Sequence, residues 1–199
     1  MKKALFVFAA LFVSMISLAQ GEKKVQEIGF LFSNGDSYGL TYRFGTEHSL
    51  WRINLVSLSG NQRNASGDST STDQMNAGFN LDFGKEFRKS LSNKFDLRYG
   101  ADLMFAYSKN NRDSKYHDVS YNSYMNEQVI YSPGFNLVLG LNYKLKNMLI
   151  GAEIQPYFRY ETGYSKYSSD TDPIETEDIS GFSYGFSNFP VMFSVVYQF

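Results

Sequence analysis

Residues 95 to 107 read FDLRYGADLMFAY. Phe95, Leu97, Tyr99, Ala101, Leu103, Phe105 and Tyr107 fall on one side of an extended chain, and Asp96, Arg98, Gly100, Asp102, Met104 and Ala106 on the other. Side chains alternate across a strand with a period of two, whereas a helix repeats every 3.6 residues. A helix would scatter both sets around its circumference. The stretch is a strand with one apolar and one largely polar face.

The same pattern recurs along the chain. In YGLTYRF, 38 to 44, Tyr38, Leu40, Tyr42 and Phe44 oppose Gly39, Thr41 and Arg43. In MNAGFNLDF, 75 to 83, Met75, Ala77, Phe79, Leu81 and Phe83 oppose Asn76, Gly78, Asn80 and Asp82. From 148 to 160, Ile150, Ala152, Ile154, Phe158 and Tyr160 lie opposite Glu153, Gln155 and Arg159. With weaker segments between these, the reading gives eight strands: 25–33, 38–44, 49–59, 75–87, 94–108, 127–144, 148–160 and 183–199. Pro133 and Pro156 fall inside two of them, at bulges or rims where a missing donor is tolerated.

Connections alternate in length. Gly45–His48, Arg88–Asn93 and Leu145–Asn147 are short, whereas 60–74, 109–126 and 161–182 are long and polar, with Asn34–Ser37 the one short link on their side. Short turns at one end, long loops at the other and strands of about ten residues with an apolar face describe a barrel that crosses lipid. Closure satisfies every backbone donor, which is what lets β-structure span a bilayer. The fold class is all-β: an eight-stranded antiparallel up-and-down transmembrane β-barrel. Aromatics near the short-turn ends (Tyr42, Phe44, Trp51, Phe87, Phe95, Tyr143, Tyr197, Phe199) and near the opposite ends (Phe32, Tyr38, Tyr107, Tyr160) predict two interfacial girdles. A lipocalin-like barrel would turn the apolar face inward, and eight strands' worth of Phe, Tyr, Trp and Leu would overfill so narrow an interior.

With the polar face inward, the charges stack by depth. Glu27, Arg43, Arg52, Asp82, Glu86, Asp96, Arg98 and Glu153 fall in the short-turn half, Asp102 near mid-height and Arg159 near the outer rim. Buried charges must be paired, and an arginine fork bridges several carboxylates. These residues therefore predict a structural Arg–carboxylate network that plugs the lower lumen.

No catalytic, cofactor or metal residues are assigned. The two histidines, His48 and His117, lie in a short turn and a long loop. Ser114, Asp113 and Asp118 are neighbours of His117 in sequence alone, and the nucleophile, metalloprotease and nucleotide-binding motifs are missing. The acidic run 170–178 lacks the EF-hand order and reads as a solvated loop, as does the stretch 60–74. Lys109, Arg112, Lys115 and Lys166 are placed to meet anionic lipopolysaccharide. Nineteen basic against 20 acidic residues give no pull toward nucleic acid. With no cysteine, disulfides, thiolate metal sites and a cysteine nucleophile are excluded.

Lys2 and Lys3, the apolar run Ala4–Met15 and the small residues Ser17 and Ala19 form the three-part pattern of a secretory signal peptide. Residues 1–19 are thus expected to be removed, with cleavage near Ala19–Gln20, leaving 20–199 as one exported barrel domain. The terminal FSVVYQF, with Phe193, Val195, Tyr197 and Phe199 on one face, is similar to the C-terminal signal read by barrel-assembly machinery. Over 20–199 the chain resembles the small eight-stranded outer-membrane barrels of the OmpX and OmpA-transmembrane-domain type. It is closer to the PorT-like outer membrane protein β-barrel group. That resemblance implies a Gram-negative outer-membrane location and no enzymatic activity or cofactor. The expected partners are membrane lipid, lipopolysaccharide and the assembly machinery; no nucleic-acid partner is expected, and the expected state is a monomer. Function is read as structural or ligand- and partner-contacting through long extracellular loops. The alternatives are a lipid-modifying barrel enzyme and an accessory component of a secretion system.

Overall fold

The structure, a computed structural model, describes residues 23–34, 37–67, 70–116, 123–169, 174–186 and 191–199. The expected leader, 1–19, and His117 lie outside the described residues. Ten strand segments follow in order: β1 (Lys24–Asn34), β2 (Ser37–Thr46), β3 (Ser49–Ser66), β4 (Thr70–Ser90), β5 (Phe95–Tyr116), β6 (Tyr124–Leu145), β7 (Met148–Ile154), β8 (Pro156–Ser169), β9 (Glu175–Phe186) and β10 (Met192–Gln198). All pairings are antiparallel. β7 and β8 lie end to end along β6 in one register, parted at Gln155, where Pro156 brings no N–H to the ladder. β9 pairs with β8, and β10 with β7 and β1. The ten segments therefore make eight staves, and the β1–β10 ladder from Glu27↔Gln198 to Phe32↔Phe193 closes the ring.

The faces sort as the period of two requires. Ile28, Phe30, Leu40, Leu103, Leu137, Ile150 and Phe193 point outward and are exposed, while Glu27, Arg43, Arg52, Glu86, Arg98 and Glu153 point inward and are buried. A few apolar residues, among them Leu31, Leu50, Val138 and Val196, fill the remaining interior. Rings line both ends of the apolar wall. Trp51–Phe83 (5.3 Å), Phe87–Tyr99 (5.7 Å) and Phe95–Tyr143 (5.2 Å) sit toward the short turns. Phe79–Tyr107 (5.8 Å), Tyr107–Tyr131 (5.4 Å) and Tyr160–Phe182 (5.1 Å) sit toward the other end. From Phe95 to Tyr107, twelve rises of about 3.3 Å tilted by about 45° span roughly 28 Å, close to the thickness of an apolar outer-membrane band.

The upper end departs from the sequence reading. Among the described residues, the stretches 60–74, 109–126 and 161–182 are paired strands rather than long loops. β3 and β4 stay paired to Ser66↔Ser71, β4 and β5 to Thr70↔Tyr116, and β5 and β6 to Ser114↔Tyr124. β6 and β8 stay paired to Tyr124↔Ser169, and β8 and β9 to Tyr167↔Glu175. Above the upper rings both faces meet water, so the apolar alternation vanishes while the backbone ladder continues. Of the acidic run, Glu175, Glu177 and Asp178 belong to β9, and 170–173 lie outside the described residues.

The β1–β2 hairpin stops short of this extension. β2 pairs with β3 as far as Leu40↔Leu55, and there a bulge between Leu55 and Ser57 shifts β3 against β4. A bulge bends its strand and re-aims it. Beyond it, among the described residues, β3 is paired on one side only, and so is β9 on the far side. The upper barrel is thus a curved six-strand sheet with two open edges. Pro133 falls where the β6–β8 pairing skips Ser132 and Pro133 without changing register, so it produces no bulge.

Candidate functional site in the barrel lumen

Alternation places an inward residue every second position, and hydrogen-bonded neighbours bring these residues side by side. Glu27 of β1 faces Arg43 of β2, Arg43 faces Arg52 of β3, and Arg52 faces Gly84 of β4. Gly84 carries no side chain, and a Cβ there would run into Ala101 and the Asp102 carboxylate. The missing atom leaves the Asp102 carboxylate its place beside Arg52.

Arg52 meets three carboxylates. Nε lies 3.1 Å from Asp102 Oδ2, Nη1 donates to Glu86 at 3.2 Å, and Nη2 donates to Glu153 Oε1 at 2.9 Å. Arg88 grips Glu27 with both fork nitrogens, at 2.6 and 2.7 Å, and donates from Nε to Glu86 at 2.7 Å. Arg98 donates to Glu153 at 2.6 Å and lies 3.5 Å from Glu86. Arg43 is held more loosely, 3.6 Å from Glu27 and 3.8 Å from Glu86. Glu86 thus contacts all four guanidinium groups. Gln155 donates to Glu153 at 2.6 Å, and Thr41 pairs with Asn54 at 2.7 Å.

Taking an ion out of water costs several kcal/mol even after relaxation, which dense mutual pairing offsets. Four arginines and four carboxylates, all nearly or fully inaccessible, meet that condition across six of the eight staves. Within the cluster each charge lies beside opposite charges.

The ten residues read from the sequence do not all meet. Glu27, Arg43, Arg52, Glu86, Arg98, Asp102 and Glu153 are joined. Asp82 is buried among them but makes no ion pair. Asp96 lies at the lower mouth, 2.7 Å from Lys144. Arg159 stands high in the barrel, paired with Glu161 at 2.8 Å and packed 5.1 Å over the Tyr157 ring. Arg88 belongs to the network, although the sequence reading assigns it to a turn. Its signal was parity, since it continues the inward row Asp82, Gly84, Glu86.

Spaces lie on both sides of the cluster. Below it a cavity of about 120 Å³ is bordered by Glu47, His48, Arg88, Asp96 and Lys144. Above it one of about 360 Å³ is bordered by Asn80, Met104, Ser132, Arg159 and Glu161, and higher still one of about 240 Å³ by Gln74, Asn110, Arg112, Asn126 and Gln128. Ser114 and Asp113 are engaged within the extended sheet, with Thr72 at 3.2 Å and Lys115 at 3.5 Å. Lys109, 3.2 Å from Glu127, is also paired there.

No family model and no curated protein matches the chain. Among solved structures it is similar to a major outer membrane protein from Thermus thermophilus (9% identity, 90% of this chain and 100% of that one, TM-score 0.48). It is also similar to CarO of Acinetobacter baumannii (11% identity, 87% and 96%, TM-score 0.37). A third is Ail, the attachment invasion locus protein of Yersinia pestis (13% identity, 89% and 99%, TM-score 0.32). These are small outer-membrane β-barrel proteins.

Proposed function

We propose that the protein is a non-enzymatic, monomeric integral barrel of the outer membrane, closed to solutes by its ionic lumen and making contacts through its extended outer sheet. The observation that carries this reading is an inversion of polarity. Leu137 is 51% exposed on the outer wall, while Arg52 is fully inaccessible inside. Lipid is the medium in which that distribution is stable, and an eight-stranded interior is filled by side chains. The lower end faces the periplasm in this reading, and the six-strand sheet stands outside the cell.

That sheet supports the contacting role. Its β3 and β9 edges carry backbone donors and acceptors with no second strand among the described residues, and open edges accept extended segments of a partner. Lipid and lipopolysaccharide are the partners of the wall and rim. Phe193, Val195, Tyr197 and Phe199 stand outward on the closing stave, where assembly machinery would grip it.

Planar-bilayer recording tests the closed lumen. The folded barrel is expected to insert without large steady single-channel conductance; a stable open channel would overturn the reading.

A further inference from the structure

We propose that the lumen holds one monovalent cation at Asp82. The charge count carries the inference. Within the buried network Arg43, Arg52, Arg88 and Arg98 are matched by Glu27, Glu86, Glu153 and Asp102. Asp82 is a fifth carboxylate. It is fully inaccessible, and neither of its oxygens has a hydrogen-bond partner or an ion-pairing cation. An isolated buried carboxylate is costly enough that it does not persist uncompensated.

The surroundings suit a single positive charge. Asp82 faces Met104 across the β4–β5 ladder, which puts Asp102 diagonally beside it on the same inner face, within side-chain reach. Asp102 uses Oδ2 toward Arg52, and neither of its oxygens accepts a hydrogen bond. Across β3, Asn54 is directly opposite Asp82. The Asp82 and Asp102 carboxylates therefore bring oxygen donors together from two strands, as a hard cation requires, while the Asn54 oxygen is engaged by Thr41 or Arg52. The unmatched charge is one, and among the described residues no group of three or more acidic or histidine side chains is placed to hold a metal ion, so a divalent ion is not matched. Entry is from above, where Asn80 and Met104, the next inward residues, border the cavity of about 360 Å³.

A proton and an alkali-metal ion both supply this charge, and one experiment separates them. The folded barrel and its Asp82→Asn variant are unfolded in urea while choline chloride is exchanged for sodium or potassium chloride at constant ionic strength, and the infrared carboxylic-acid carbonyl region is recorded for both. With an alkali ion, the wild-type folding constant rises up to roughly tenfold per tenfold ion once the site saturates, and the rise is absent in the variant. With a proton, the folding constant ignores the ion, and a carboxylic-acid band present in the wild type is lost in the variant. If neither signal differs between the two proteins, the proposal is overturned, because Asp82 then already has a partner in the chain. Should Asp82→Asn fail to fold, Asp82→Ser removes the same carboxylate with a smaller polar side chain. It is expected to abolish the same signals, and their persistence would equally overturn the proposal.

Discussion

The lower lumen and the upper sheet are built from the same strands, yet they obey different rules. Within the apolar band, β5 places Arg98 and Asp102 in an inaccessible interior with Leu103 exposed on the outer wall. A few residues farther along, the same strand carries Lys109 and Arg112 with water on both sides. Below the upper rings each inward charge has to be answered by another. Above them a charge is solvated whether or not it is paired. The medium, rather than the strand, decides which side chains are consequential.

The largest effect that tests this contrast is removal of Arg52. Arg52→Ala leaves Asp102, Glu86 and Glu153 short of a common partner in a site without water, and breaking a buried pair in this way costs about 3–5 kcal/mol. Arg112→Ala, on the same inner side but in the exposed extension, is expected to stay within about 0.5 kcal/mol. Equilibrium unfolding of the two variants measures the difference directly. Equal losses would mean that water reaches the lower lumen.

The outer wall gives the next effect. Leu137 lies on β6 opposite Ala101, near mid-height between the two sets of rings. Leu137→Arg is expected to cost about 2–4 kcal/mol in a lipid bilayer, as basic residues do at the midplane of such walls. A cost near zero would place the midplane elsewhere.

The same contrast explains what was legible in the sequence. Between the rings, one medium on each face writes an alternation of apolar and polar residues, so the strand count, the faces and most of the ionic residues could be read. Above the rings that pattern disappears, and stretches such as GNQRNASGDSTSTDQ look like loops although their backbones pair to Ser66↔Ser71. Arg88 was hidden for a related reason. It follows Phe87, whose ring marks the lower interface, and a strand read as ending there loses its last inward residue. Asp96 and Arg159 were legible as inward charges but not as members of separate pairs. Their partners, Lys144 and Glu161, depend on which staves are neighbours at that height. The unmatched charge of Asp82 emerged only from the completed pairing.

The smallest effect tests the wet half of the comparison. Above the rings, Lys109 lies 3.2 Å from Glu127, and Tyr164 donates to the same carboxylate at 3.3 Å. The hydrogen bond from Lys109 lowers the Glu127 pKa, and the one to Glu127 raises that of Lys109. A depressed carboxylate pKa contributes stability that is present above the unfolded value and is lost as pH falls through the folded one. Lys109→Met should therefore weaken amide protection in the β5–β6 extension slightly at neutral pH. The difference from wild type should fade as acid protonates Glu127. It should also shrink in high salt, because the pair is exposed and screened. Protection that differs equally at all pH values would mean that Lys109 acts through its aliphatic stem rather than its charge. If so, the upper sheet would share the packing constraints of the barrel below it.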